Sequence, residues 1–278
     1  MVAGLGQYGV WQGESLVTPQ LARELERLGF GTVWLGSAHG DLKVVDELLE
    51  ATTTLKVATG IVNIWNDPAD EVAAAYTRVQ SRHPGRFLLG IGAGHREAVG
   101  AAYVKPYQAV VDYLDALDAA GVPKDARVIA ALGPKMVRLS GERSAGAHPY
   151  LVTPDHTAQA REILGTGVLL APEQKVVLQT DPDKAREIGR PRVDRPYLHL
   201  RNYVNNLRAF GFDDTDIADG GSDRLIDALV ARGDARAITE RLNEHLEAGA
   251  DHVAIQLLTA KGDDPIPGYT ALAEELFA

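Results

Sequence analysis

The sequence predicts an α/β protein folded as a (β/α)8 TIM barrel, and three observations carry that prediction. One unit recurs along the chain: an amphipathic helix, a glycine-containing turn, then a short apolar run. The runs are apolar throughout instead of alternating, as expected of parallel strands covered by helices on both faces. A length of 278 residues suits one such barrel as a single domain, 1–278. A doubly wound open sheet is the competing architecture. It is disfavoured because no Gly-x-Gly-x-x-Gly follows the first strand; Gly4, Gly6 and Gly9 lie before or inside it.

Taken in order, the strands read as Leu5–Trp11, Thr32–Gly36, Lys56–Trp65, Phe87–Gly94, Arg127–Leu132, Ala147–Val152, Lys175–Thr180 and His252–Leu258. The repeating unit is plainest in Leu21–Leu35, Tyr113–Leu132, Met136–Val152 and Leu242–Leu257, where the helix closes on glycine and the strand follows. Spacing breaks down after the seventh strand. Residues 180–251 form a connection far longer than an ordinary crossover, with a Pro/Arg-rich piece (Arg190–Pro196), a helix candidate (Leu198–Phe210) and an acidic loop (Asp213–Asp223). Two readings stand: a lid over one barrel end, or helical padding that serves packing or a subunit contact.

Composition narrows the function classes. The absence of cysteine excludes disulfides, thiolate metal sites and cysteine nucleophiles, and points to an intracellular setting. A formal charge of −10 argues against nucleic-acid and anionic-membrane partners, and no apolar run approaches the ~20 residues of a spanning helix. No basic-then-apolar leader is visible, so cytoplasm is the expected location, with a small molecule as the expected partner. The histidines, at positions 39, 83, 95, 148, 156, 199, 245 and 252, show no helical ligand spacing, so no metal site is predicted. No Gly-x-Ser-x-Gly elbow surrounds any serine. Reactivity is therefore expected from a bound cofactor.

In a barrel, chemistry belongs at the carboxyl ends of the strands. There the second strand runs into His39, the third into Asn63, Trp65 and Asn66, the fourth into Gly90, Gly92, Gly94 and His95, the fifth into Gly133-Pro134-Lys135, and the sixth into His148 and Tyr150. Glycines at 90, 92 and 94 leave room on one strand face for a planar ring system. Gly133 permits close backbone approach, Pro134 suits a first helical position, and free N–H groups with Lys135 attract an anion, which together describe a phosphate cradle. A plain strand-to-helix turn is the alternative.

These segments carry a resemblance. Gly9-Val10-Trp11, residues 28–36 (LGFGTVWLG), 59–63 (TGIVN), 87–94 (FLLGIGAG), 131–136 (ALGPKM) and 146–154 (GAHPYLVTP) resemble the luciferase-like family of flavin and deazaflavin oxidoreductases, and more narrowly its actinobacterial branch that uses coenzyme F-420, an 8-hydroxy-5-deazaflavin. The resemblance implies a cofactor ring across the strand ends and hydride transfer between that ring and an organic substrate. It also implies a cis peptide at Gly60–Ile61 behind the ring, ring contacts from Asn63, Ala93 and Gly94, and phosphate contacts from the turn Gly133, Pro134, Lys135 and Met136.

His39 matches, with a one-residue slip, the place where relatives carry an Asp-His pair, which makes it the candidate catalytic residue; the Asp is missing here. His95, where a sugar-oxidising relative has a carboxylate, and Tyr150 are candidate cofactor neighbours. Trp11 and Trp65 are candidate substrate walls, with Tyr103 and Tyr107 behind them, while Trp34 reads as core. Arg96, Arg138 and Arg143 supply positive charge for an anionic coenzyme, although Arg138 and Arg143 also suit ion pairs with Glu142. Two alternatives stay open: an FMN-dependent monooxygenase of the same fold, and a flavin-binding homologue without activity. Relatives often dimerise through barrel helices, so a homodimer is a further expectation.

Overall fold

The computed structural model describes residues 4–95, 100, 104–260 and 262–278. Its strand segments are β1 (Tyr8–Gly13), β2 (Thr32–Gly36), β3 (Lys56–Thr59), β4 (Val62–Asn63), β5 (Phe87–Gly92), β6 (Arg127–Ile129), β7 (Gly146–Ala147), β8 (Leu169–Leu170), β9 (Glu173–Val177), β10 (Val230–Arg232) and β11 (Val253–Leu257). All pairs are parallel, in the order β10-β9-β11-β1-β2-β3-β5-β6-β7-β8, with β4 beside β5.

The ring closes because β8, at one end of that path, and β9, beside β10 at the other, belong to one stretch of chain. β8 and β9 are successive pieces of residues 169–177, interrupted at Pro172, which has no N–H to give to a ladder. On one edge this run meets the sixth strand, through Ala171 N–H to Ala147 O and Glu173 N–H to Pro149 O, both 2.9 Å. On the other it meets β11, through Asp251 N–H to Leu170 O and Ala254 N–H to Pro172 O, also 2.9 Å. β3 and β4 are likewise one strand, parted at a cis Gly60–Ile61 peptide. The eleven segments thus make nine runs: eight are the staves of a (β/α)8 barrel, which is the observed fold, and β10 is a short addition on one edge of β9.

Side-chain alternation sorts the residues between two environments. Trp11 lies opposite Trp34, Trp34 opposite Ala58, and Ala58 opposite Leu88. These fill the barrel interior together with Leu5, Val128, Leu169, Ala171 and Ala254. Their neighbours Val10, Val33, Val57, Leu89 and Ile255 face outward and pack against the helical layer. Helices start where short polar side chains catch free amides: Thr18 Oγ1 accepts from Leu21 N–H at 3.1 Å, and Asp234 Oδ1 from Ala237 N–H at 2.9 Å.

Several expected boundaries move. β1 begins at Tyr8, three residues later than the apolar run suggests. The fourth, fifth and sixth strands end early, at Gly92, Ile129 and Ala147; past the last of these, Pro149 and a left-handed Leu151 (φ 55°) turn the chain away. The seventh starts at Leu169, not Lys175, and ends at Val177. β10, three residues long and absent from the sequence reading, takes the edge of β9 that β7 is too short to reach.

Within 180–251, the Pro/Arg-rich piece is mostly the end of a helix, Pro182–Asp194, which holds Pro191 near its last turn. The predicted second helix is Arg201–Ala209, and the acidic loop contains a short helix, Asp214–Ile217, with a capping box built by Asp213 and Asp216. The last helix, Ala235–Glu247, precedes β11 and is the barrel's own seventh helix, so the extra segment ends sooner than the long spacing implies. Leu198, Leu200, Leu207, Phe212, Leu225 and Ile226 of the extra segment form a second apolar core with Leu151, Val177 and Leu258. Those three sit just past or at the ends of the sixth, seventh and eighth strands, which places the segment over that side of the barrel mouth. No helix among the described residues is long and apolar enough to cross a membrane.

Three histidines are sealed in this framework. His252 faces Gly6 O with Nδ1 (2.8 Å) while its Nε2 accepts from Trp34 Nε1–H (3.0 Å). His148 stacks on Trp34 with centroids 4.1 Å apart and bonds Ala171 O through Nδ1. His245 lies between Thr157 Oγ1 and Gln174 Oε1. Burial pushes His148 and His252 down to about 4 and His245 to about 3. The fold holds these rings neutral, whereas the unfolded chain takes up protons near pH 6.5, so stability is full above that value and drains as pH falls toward 4. Each ring is worth on the order of 3 kcal/mol over that window. Urea midpoints measured from pH 7.5 to 4.5 are expected to fall steadily below pH 6.5, with a shallower slope in His245→Gln; a flat profile would contradict the neutral assignment.

Candidate active site

The mouth is built differently on its two sides. At the ends of the third and fourth strands small residues prevail, and the structure corrects the idea that all three glycines of the fourth strand clear space for a ring. A side chain on Gly90 would meet Thr59 O at 1.8 Å, and the Thr59 hydroxyl both donates to Gly90 O (2.8 Å) and accepts from Gly90 N–H (2.7 Å). Gly90 is therefore glycine for strand packing. A Cβ at Gly92 would meet Ala130 at 2.9 Å, and one at Gly94 (φ 58°) would meet Asn63 Nδ2 at 2.8 Å. Gly13, at the end of β1, and Gly133, past β6, do have open space, with nothing within 4 Å of an added Cβ. Trp65 Nε1–H donates to Ala93 O at 2.7 Å and Asn63 Oδ1 accepts from Trp65 N–H at 3.1 Å, so Asn63, Trp65, Ala93 and Gly94 form one patch.

Gly133 is the N-cap of the helix Pro134–Arg143, with Pro134 at its first position and no side chain capping it. Gly133, Pro134 and Lys135 are exposed, Met136 is half-buried against the core, and Lys135 N–H has no hydrogen-bond acceptor among the described residues. Arg143 bonds Asp115 and Asp118, not Glu142, and so belongs to the helical layer. Tyr107 is exposed, while Arg96 and Tyr103 lie outside the described residues.

On the rim, His39 finds a carboxylate that local sequence conceals. Glu14, the residue after β1, is 5% exposed, and its Oε2 accepts from both the His39 backbone N–H (3.1 Å) and Nδ1 (2.5 Å). His39 thus has a carboxylate partner twenty-five residues upstream in the chain. The hydrogen bond that the His39 ring makes to the Glu14 carboxylate, reinforced by its charge, raises the His39 pKa. The imidazole itself is 80% exposed and leaves Nε2 toward the solvent side. The sequence signal for Glu14 is slight: an acidic residue directly beyond an apolar first strand.

The opposite side is polar and aromatic. Trp11 packs on Tyr150 (centroids 5.0 Å apart), Tyr150 on Tyr197 (5.2 Å), Tyr197 on Tyr203 (5.0 Å) and Tyr203 on His95 (5.4 Å). Tyr197 and Tyr203 come from the extra segment, so His95 faces that cover, not open water. Tyr150 OH donates to Gln256 Oε1 at 2.9 Å. Trp11 Nε1 and His148 Nε2 are buried and have no hydrogen-bond partner among the described residues, and each stands 2.9 Å from where a Gly60 Cβ would be. Because Glu173 lies opposite Ala254 and Lys175 opposite Gln256, both point inward. They are fully buried and paired at 3.1 Å, and burial raises the Glu173 pKa and lowers that of Lys175. Sequence reading missed this pair because it took Lys175 for the first residue of its strand. Among the described residues no cluster of three or more His, Asp or Glu has a metal-holding arrangement.

Comparison with known proteins agrees with the fold. Residues 17–121 match the model of the luciferase-like monooxygenase family. The chain is similar to a 5,10-methylenetetrahydromethanopterin reductase from Archaeoglobus fulgidus, at 24% identity over 82% of this chain and 85% of the relative. Among solved structures it is similar to an F420-dependent secondary alcohol dehydrogenase in complex with an F420–acetone adduct (TM-score 0.76, 16% identity, 96% of this chain and 97% of that one). It is also similar to the oxygenating constituent of 3,6-diketocamphane monooxygenase from Pseudomonas putida in complex with FMN (TM-score 0.71, 15% identity, 96% and 95% of the two chains). The chain thus carries the luciferase-like monooxygenase pattern through residues 17–121 and the barrel of these oxidoreductases through nearly all of its length.

Proposed function

We propose that the protein is a coenzyme F-420-dependent oxidoreductase acting on an organic small molecule. The observation that carries the reading is the rim pair: an exposed imidazole, biased toward its protonated form by a buried carboxylate, beside a barrel mouth that a chain segment covers on one side. A lone flavin-binding relic has no need of such a pair, which weighs against the inactive alternative. Relatives that use F420 support the choice of coenzyme, and the FMN-containing relative supplies the rival.

The residues present fit such a group. Gly133 leaves open space at the start of a ten-residue helix, where Lys135 and its free N–H would hold a phosphate. Asn63, Ala93 and Gly94 offer a small-residue surface for a planar ring, with Gly60 and Ile61 behind it. When bound, the deazaflavin supplies or accepts the hydride. His39 holds a proton at its ring while Glu14 orients it, leaving Nε2 available to a substrate oxygen. The extra segment acts as a lid that excludes water at the sixth to eighth strands. The reading keeps the protein in the cytoplasm and leaves homodimer formation through barrel helices as a compatible arrangement.

Two measurements test this. Titrating the protein with F-420 and with FMN is expected to quench deazaflavin fluorescence at micromolar concentration and to leave FMN free, and Lys135→Ala is expected to weaken F-420 binding by about 1–3 kcal/mol. Binding of FMN alone would transfer the assignment to the monooxygenase reading. NMR titration of the His39 ring is expected to give an inflection above the ordinary pH 6.5 that drops back in Glu14→Gln; an unchanged inflection would remove Glu14 from the proton-holding pair.

A further inference from the structure

We propose that Lys175 selects a neutral, carbonyl-bearing substrate by offering an ammonium N–H to the carbonyl oxygen on the polar side of the mouth. The oxidoreductase reading bears only on what then happens to that carbonyl. Barrel interiors are normally filled by branched apolar side chains. Here two successive inward positions of one strand carry opposite charges, both less than 2% exposed. Burying two ions in that way is weak support for a fold, since apolar side chains of similar volume serve as well or better. Buried titratable groups at the catalytic end of a barrel are functional candidates.

The surroundings define the ligand. Glu173 spends one oxygen on Lys175 and the other on Leu151 N–H (3.0 Å), so the pair is already neutral and tied to the backbone. An anionic ligand would leave a net negative charge in a site stripped of water, whereas a neutral oxygen acceptor adds none. Glu173 is the sole hydrogen-bond acceptor of the ammonium among the described residues; otherwise it faces the Tyr150 ring at 3.9 Å and the Tyr197 ring at 5.5 Å. The Trp11 ring packs on the same Tyr150 ring, and its Nε1, another group that can only donate, has no hydrogen-bond partner among the described residues. An ammonium and an indole N–H each call for an acceptor oxygen, and a carbonyl oxygen, with two lone pairs and no hydrogen, meets that demand without bringing a donor of its own. Tyr150, Tyr197 and Tyr203 add flat walls suited to an aromatic or conjugated carbonyl compound. Tyr197 belongs to the extra segment, so a substrate reaches the ammonium by taking the place of that ring.

The test uses acetophenone labelled with carbon-13 at the carbonyl, with benzoate as the anionic counterpart and no coenzyme added, so that its outcome is independent of the F-420 titration. In the wild-type protein the carbonyl resonance is expected to move downfield on binding, and benzoate to bind about ten-fold more weakly than acetophenone. The double variant Glu173→Gln/Lys175→Met, which leaves no unpaired buried charge, is expected to keep its melting temperature, lose the downfield shift and bind acetophenone roughly ten-fold more weakly. Glu173→Gln alone is expected to reverse the preference toward benzoate, because the ammonium then lacks its counter-ion. A shift that persists in the double variant, tighter binding of benzoate by the wild type, or no binding of acetophenone at all would each overturn the proposal.

Discussion

The architecture depends on one backbone constraint, the double use of residues 169–177. This run must satisfy a neighbour on each edge, and it does so with a proline in its middle by passing the ladder from β8 to β9 across Ala171 and Pro172. Closure then dictates orientation. In a closed ring every second residue of every stave points inward, whatever its chemistry. Trp11, Trp34 and Ala254 are at home there, while Glu173 and Lys175 are placed there by register and must neutralise one another. The polar side of the mouth is thus a consequence of how the ring is closed.

Closure also divides labour around the mouth. The third and fourth strands end in residues so small that neighbouring chain fills the gaps, as Thr59 does against Gly90. The sixth to eighth end in Tyr150, Glu173, Lys175 and Gln256, beneath an apolar core built largely from the extra segment. That core is anchored on Leu151, Val177 and Leu258, which ties the cover to the polar arc. Between the arcs stand Glu14 and His39, at the exits of the first and second strands.

The barrel was legible in the sequence because its signal is periodic and repeated: helix, glycine, apolar run. His39, Asn63, Trp65 and the Gly133 turn were legible for a related reason, since strand ends can be located once strands are. What stayed hidden is whatever depends on three-dimensional neighbours. Glu14 is distant from His39 in the chain and adjacent to it in space. Lys175 looked like an ordinary strand boundary, and only the cross-strand register with Gln256 shows that it points inward. Gly90 carried the right residue type for a ligand contact, yet its space belongs to a backbone carbonyl. The length of 180–251 said that something extra was present and nothing about where it would sit; that information lies in which apolar side chains it shares with the strand ends.

Histidine shows how far environment, not residue type, decides chemistry here. His148, His245 and His252 are enclosed, each engaged through both packing and a specific hydrogen bond, and burial makes protonation costly for all three. His39 has the same ring, but water solvates it and Glu14 favours its charged form. Of these four rings, then, only His39 gains affinity for a proton on folding, while the other three lose it. Inside the barrel the Lys175–Glu173 pair is shielded from solvent, and the Tyr150 and Tyr197 rings stand beside the ammonium.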